Sequence, residues 1–428
     1  MEDANEIKRL CRVAVQSVPD VDQSHVDLMV STLLSLPDSL ATERSFDRAF
    51  EDLLESSGDE STVDRGLQLA ARLLESAKRC ARRRATHHNT ISWPLPHELT
   101  VKIFGLVDTK SLVQASASCT MFKRSSMDPI CYGDIDLTNA NVKSVVVRGM
   151  IFRAGKELSS LKVGCADEST KSLLTRSSLD PLSYEHGLAG NLLESLHIYN
   201  HNGKLKRKSI CGALLVCSNL TDLKIVGLDI HTVSDVAGLL TVKCEHLFLQ
   251  NENSAVWSHL TGSHFEKSCP NLTSLSLIGF HITDDALYML LMGLHKLKYI
   301  DLSRTSGFGG SFLRRVCDNF KDALIETVIL RDCVGLRERM VCRFLHSLLS
   351  GDLRFMQYID VSNYHGLLSG EMRRNRKPKF PLEELEVERP GLTFVGDFTP
   401  SPYSLVSSSD SSTSSDSSSS SYSTDSSA

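Results

Sequence analysis

No uninterrupted apolar run in this sequence approaches the ~18 residues of a membrane-spanning helix. The opening Met1-Glu-Asp-Ala-Asn-Glu6 is acidic and has no hydrophobic stretch, which argues against a secretory leader. Also missing are Cys-x-x-Cys, His-Glu-x-x-His and Gly-x-Ser-x-Gly, the short signatures of dithiol, zinc-peptidase and serine-hydrolase chemistry. Gly307-Phe-Gly-Gly-Ser311 lacks the lysine of a phosphate loop, has Phe312 where that motif needs its last glycine, and reads better as a turn. His87-His88 has no cysteine partners at zinc spacing. The net charge of −5 gives no general basic surface for nucleic acid. The 12 cysteines form no disulfide framework, which suits a reducing compartment. No catalytic residue, cofactor or metal is expected.

What is there is globular, with 41% hydrophobic and 23% charged residues over 428 positions, enough for two or three domains. Trp93-Pro-Leu-Pro-His-Glu-Leu-Thr-Val-Lys-Ile-Phe104 is its most specific stretch. Leu95-Pro96 is an extended pair, because the residue before proline is pushed out of the α region. Leu99, Ile103 and Val107 then share a helical face. Asp108 or Thr109 can cap a second helix with Leu112, Val113 and Ala115, and Phe122 and Met127 supply a third turn before Pro129. So small a cluster, with so many large apolar residues, calls for a packing partner.

A longer pattern follows. Leu-x-x-Leu-x-Leu, with other large apolar residues allowed, has its middle anchor at 135, 161, 196, 223, 247, 275, 300, 328, 359 and 385. The last copy is Leu382-Leu385-Val387. Repeats of this type at ~20–29 residues are leucine-rich repeats, each a short strand and a helix. The longest gaps, 35 and 31 residues, read as insertions. Thr283-Asp-Asp-Ala-Leu287 opens one intervening helix, with Leu290, Leu291 and Leu294 on its buried side. Cys217-Ser-Asn-Leu220 and Cys269-Pro-Asn-Leu272 place a cysteine three residues before the first repeat leucine. Such a cysteine packs as a small hydrophobe.

In the strands, pattern positions four and six point inward, and positions three, five and seven point to the concave face. Position five reads Lys162, His197, Lys224, Phe248, Ser276, Asp301, Ile329, Asp360 and Glu386. Positions three and seven add Tyr199, Tyr299 and Tyr358. Exposed aromatics of this kind favour an interface. The expected protein ligand turns an acidic end to Lys162 and Lys224 and a basic end to Asp360 and Glu386.

Ahead of this lies an all-helical region. Leu28, Leu33, Leu34 and Leu36 fall in one helix closed by Pro37. Phe46, Phe50, Leu53 and Leu54 fall in a second, and Leu67, Ala70, Leu74 and Ala77 in a third. The third is expected to end in Lys78-Arg-Cys-Ala-Arg-Arg-Arg84, either a cationic helix terminus or a nuclear localisation signal. Arg373-Arg-Asn-Arg-Lys-Pro-Lys379 is a second basic run. From about Ser404 the chain is nearly all serine with scattered aspartates, a composition that cannot order itself.

The order Leu-Pro, Glu-Leu, Ile-Phe, Ser-Leu, Ser-Cys-aromatic and Asp-Pro over residues 91–132 resembles the F-box. The family often has tryptophan where Phe122 and Tyr132 stand. The cysteine-containing repeats resemble those common in F-box proteins, and the whole arrangement is similar to plant F-box proteins named as Skp-interacting partners. The resemblance implies a substrate-recognition adaptor of an SCF (Skp–cullin–F-box) ubiquitin ligase. Leu95, Pro96, Leu99, Ile103, Phe104, Leu112 and Phe122 would meet the Skp-type adaptor, and through it cullin and RING subunits. The repeats would hold a protein substrate, with no nucleic acid and no membrane involved, in nucleus or cytoplasm. The competing reading is a repeat scaffold without a ligase role. The expected fold is α/β: a leucine-rich-repeat solenoid of the cysteine-containing type at 132–395, after a helical region at 1–90 and a helical F-box at 91–131. A disordered tail fills 396–428.

Overall fold

The computed structural model describes residues 22–57, 61–184, 187–201, 205, 207–228, 240–251, 261–320, 323–369, 372–373 and 378–398. The chain divides into two compact units, Met1–Ala85 and Thr86–Ala428. The Ser-rich tail and most of the second basic run lie outside the described residues.

The first unit is helical. Helix α1 (Gln23–Ser35) is capped by Asp22, whose carboxylate accepts from the Ser24 amide at 3.1 Å. It stops before Pro37, which offers no N–H to continue a helix. Helices α2 (Leu40–Ser57) and α3 (Ser61–Ser92) follow, and Gly66 of α3 lies against the Phe50 ring of α2. The Lys78–Arg84 run does not end its helix as expected, because α3 continues to Ser92. Nothing between Arg84 and Trp93 breaks a helix, and the Thr90 hydroxyl donates back to the Thr86 carbonyl at 2.7 Å. Helix α3 therefore also crosses the expected boundary at residue 90.

In the second unit, α4 (His97–Phe104) starts after the extended Pro96, with φ −56° and ψ 156°. Asp108 caps α5 (Thr109–Ser118), accepting from the Ser111 amide at 3.0 Å. The Cys119 thiol accepts from the Phe122 amide at the start of α6 (Thr120–Ser125). A 3-10 turn, Pro129–Tyr132, capped by Asp128, leads into the sheet.

The sheet has ten strands. They are β1 (Asp134–Asp136), β2 (Ser160–Gly164), β3 (Ser195–Tyr199), β4 (Asp222–Leu228), β5 (His246–Asn251), β6 (Ser274–Ile278), β7 (Tyr299–Asp301), β8 (Thr327–Ile329) and β9 (Tyr358–Asp360). A hairpin of β10 (Leu368–Ser369) and β11 (Met372–Arg373) stands apart, and β12 (Thr393–Val395) completes the sheet beside β9. All the pairs of the large sheet are parallel, and from β1 to β9 each strand lies beside its neighbour in sequence. Ile135, Leu161, Leu196, Leu223, Leu247, Leu275, Ile300, Val328 and Ile359 form one register row. These are the expected anchors, in order, and all are buried.

The tenth anchor differs. Leu382–Glu388 forms a helix, and the row ends on Phe394 of β12. Leu382 and Leu385 are three apart, a spacing that suits a helix as well as the repeat. Pro381 precedes the segment, and Glu383 and Glu384 sit in its first turn, where acidic side chains are favoured. Glu386 is exposed on this helix and belongs to no strand of the sheet.

Helices return the chain between strands. One of them, Asp284–Met292, is capped by Thr283 and buries Leu287, Leu290 and Leu291, as its spacing indicates. The turns before the strands interlock. Asn219 donates to the Asn191 carbonyl at 2.6 Å, and Asn271 to that of Val242 at 3.0 Å. In Cys-Ser-Asn-Leu and Cys-Pro-Asn-Leu, then, the asparagine ties each turn to the one before. Cys217 and Cys269 are fully buried beneath them. Burial pushes the Cys217 thiol up to about 12. At its last residue β2 needs Gly164, which has φ +104° and lies where a Cβ would overlap the Tyr199 carbonyl.

Candidate functional site

Two surfaces of the second unit stand out. The first is built on α4 to α6. Trp93, Phe122 and Phe104 stack edge to face, with ring centroids 5.4 and 5.3 Å apart. The Trp93 indole donates to the Thr100 hydroxyl at 2.9 Å. These aromatics fill the interior of the module. Of the expected adaptor contacts, Phe104 is buried and Phe122 half-buried, while Leu112 is only 1% exposed, so its assignment as an exposed contact is corrected. The reason is that α5 turns its Leu112 face onto the module's core, while its Val113 face stays outside.

Leu95, Pro96, Leu99 and Ile103 remain exposed. They are joined by Leu106, 87% exposed, Val107 and Val113. Leu106 was missed because it sits beyond α4, in a turn where helical spacing no longer applies. Seven apolar residues are thus exposed within the 19 residues from Leu95 to Val113.

This module is welded to the sheet. Tyr132 is buried, its hydroxyl accepts from Arg153 at 2.9 Å, and the guanidinium lies 5.3 Å from its ring centroid. The Thr109 hydroxyl, at the start of α5, accepts from the Asp136 amide of β1 at 2.9 Å. Val101, Phe104 and Leu112 belong to the same continuous apolar core as the strand anchors.

The second surface is the open face of the sheet, which carries Lys162, His197, Tyr199, Lys224, Phe248, Tyr299, Asp301, Ile329 and Tyr358 half-buried. Their charges are mostly engaged. Lys162 lies 4.0 Å from Asp136. His197 Nε2 is 2.7 Å from Asp222 Oδ2, which also accepts from the Ser195 hydroxyl at 2.9 Å. Burial raises the Asp222 carboxyl, but the hydrogen bond and charge of His197, with Ser195, outweigh it and hold the group below its ordinary value. The Lys224 ammonium stands 5.2 Å from the Tyr199 ring centroid and 4.4 Å from that of Phe248, a cation between two aromatics.

The late strands do not form the expected acidic end. Asp360 is 0% exposed. Its carboxylate accepts from Arg331 Nε at 2.5 Å, from the Tyr358 hydroxyl at 3.3 Å and from the Ser362 amide at 3.0 Å. Asp301 accepts from the Ser303 amide at 2.9 Å and from its hydroxyl at 2.6 Å. Asp136 does the same with Thr138. Asp136-Leu-Thr138, Asp301-Leu-Ser303 and Asp360-Val-Ser362 are therefore one local device in which aspartate caps the turn leaving its strand. Asp360 is withdrawn from the open face, and Glu386 lies on a helix away from it. Arg331, two residues past Ile329 on the same alternation, was overlooked, and its side chain is 54% exposed. Its pairing with Asp360 raises its pKa. Burial, then Asp301, raises the Tyr299 phenol. Among the described residues no group of His, Cys, Asp and Glu is arranged to hold a metal, and no helix is long and apolar enough to cross a membrane.

The second unit thus falls in the class of proteins that join a small helical module, here with an exposed apolar patch, to a one-directional parallel sheet. Comparison with known proteins narrows this class. The chain is 45% identical over 419 residues to "F-box protein At4g02760" of Arabidopsis thaliana, spanning 92% of this chain and 81% of the relative. It is 46% identical over 409 residues to "F-box protein SKIP17" of the same plant, spanning 90% and 85%. A third, "F-box protein At4g02733", is 44% identical over 272 residues, or 54% and 89%. No family model matches. The chain belongs to the F-box proteins.

Proposed function

We propose that this protein is a substrate-recognition adaptor of an SCF ubiquitin ligase, with no active site of its own. The exposed patch of Leu95, Pro96, Leu99, Ile103, Leu106 and Val113 docks on the Skp-type adaptor, which brings cullin and RING subunits. The strands and helices from β1 to β12 form a leucine-rich-repeat solenoid of the cysteine-containing type, and its open face holds the substrate. The carrying observation is the single apolar core that runs from the module into the sheet. It fixes the docking patch and the face in one body, so a bound substrate keeps a set position toward a separate ubiquitin-conjugating enzyme. Proximity then supplies the rate advantage. The cationic and apolar features of the face, Lys224 between aromatics, Tyr299, Ile329 and the exposed side of Arg331, suit a substrate segment with acidic residues among apolar ones. Protein and adaptor meet in the nucleus or the cytoplasm.

The test is a binding titration with the Skp-type adaptor. Replacing Leu95 and Pro96 by alanine should weaken binding by ~2 kcal/mol or more, as at an interface hot spot. Unchanged affinity in a folded variant removes the docking assignment, and failure of the wild type to recover cullin leaves a repeat scaffold without a ligase role.

A further inference from the structure

We propose that the first helical unit is a homodimerisation surface, in which α3 pairs antiparallel with α3 of a second copy of this chain. Among the described residues no side chain before Thr100 is buried. Helix α3 uses one side, through Gly66, to meet Phe50 of α2. Beside that contact runs an exposed stripe of Val63, Leu67, Ala70, Leu74, Ala77 and Ala81, with Val63 and Ala70 flanking Gly66 and Leu67 and Leu74 turned further from it. These recur at alternating steps of four and three residues, the a/d spacing of a coiled-coil seam. Leu67 is 65% exposed and Leu74 56%. The stripe covers about 27 Å of helix at ~1.5 Å per residue. That is short for a stable interface of ~1,200 Å², and exposed Leu28, Leu34 and Leu53 on α1 and α2 supply further apolar area.

Charge selects both the occupant and its direction. The later part of α3 carries Lys78, Arg79, Arg82, Arg83 and Arg84, while the end of α2 carries Asp47, Glu51, Asp52 and Glu55. Phe50 at Gly66 puts that acidic end beside the early part of α3. A parallel pair would set five cations against the same five. An antiparallel pair centred near Leu74 sets the basic run of each copy against Asp64 and the acidic α2 end of the other. One surface thus holds both halves of a complementary contact, the property of a two-fold interface.

Sedimentation of the full chain at micromolar concentration tests this. A salt-sensitive dimer is expected. Leu67→Glu with Leu74→Glu should weaken it ~30-fold or more, the equivalent of ~2 kcal/mol at a hot spot, with far-UV circular dichroism unchanged. Lys78→Glu with Arg82→Glu should weaken self-association, as should Glu51→Lys with Asp52→Lys. Mixing these two charge-reversed chains should restore it. A monomeric wild type, a dimer indifferent to both leucines, or a mixture no tighter than its components would overturn the proposal.

Discussion

At the scale of single residues, the open face shows how far local chemistry reshapes a surface that looks simple in one dimension. Acidic position-five residues in the late strands suggested a docking site for a basic segment. In three dimensions Asp301 and Asp360 close the turns that follow their own strands, and Arg331 covers Asp360. Asp222 lies beside this face, paired with His197. Its folded carboxyl lies below the ordinary value because His197 and Ser195 hydrogen-bond it. A depressed carboxylate stabilises fully above its unfolded pKa of ~3.9 and loses that contribution as pH falls through the lower folded value. Asp222→Asn should therefore cost stability at neutral pH and flatten the acid limb of the melting temperature against pH. A variant that keeps the wild-type acid limb would show that another carboxylate governs it.

At the scale of elements, strand phase can be tested inside β6. Leu275 lies in the anchor row between Leu247 and Ile300 and is fully buried. Leu275→Asp should cost ~4 kcal/mol or more, since an unpaired charge enters the core. Ser276 points the other way, yet it too is buried, with Phe248 and Asp301 as its register neighbours. Ser276→Ala should be nearly silent, while Ser276→Asp should cost ~2 kcal/mol or more, because a carboxylate is buried there opposite Asp301 on the adjacent strand. Chemical denaturation of the three variants checks the order; Ser276→Ala losing as much as Leu275→Asp would place the phase one residue out.

The same elements mark what was legible beforehand. The anchor row from Ile135 to Ile359 could be read because inward positions of a repeat must be apolar and a strand fixes their spacing. The exposed apolar patch was half legible. Helical spacing found Leu99 and Ile103, but it cannot say which face of α5 turns to the core, so Leu112, expected at the adaptor, is buried, and Val113, given no role, is exposed. Leu382–Glu388 misled because seven residues do not separate a repeat strand from a helical turn. Arg331 went unread because a cation two positions past a short strand looks like loop.

At the scale of the whole molecule, the continuous core makes the helical module an end cap of the parallel sheet, and under the proposed function the docking module caps a repeat array. Leu112, Phe104 and Tyr132 sit in the cluster that also holds Ile135 and Leu161. The Thr109 hydroxyl and the Gly133 carbonyl tie the module to the first strands, the latter accepting from the Ser159 and Ser160 amides at 2.8 and 3.0 Å. In a repeat array each unit is stabilised chiefly by its neighbours, so damage at one end spreads inward and fades with distance. Leu112→Ala, which opens a cavity costing ~2–5 kcal/mol, should therefore do more than loosen α4 and α5. Amide-exchange protection should fall strongly in β1 and β2, less in β4 and hardly at all in β8 and β9. A module joined only by a flexible linker would lose protection in its own helices and leave β1 and β2 untouched. The size and reach of the loss across β1 to β4 thus measure how rigidly the docking patch is held to the binding face. That rigidity is what the proposed ligase geometry requires.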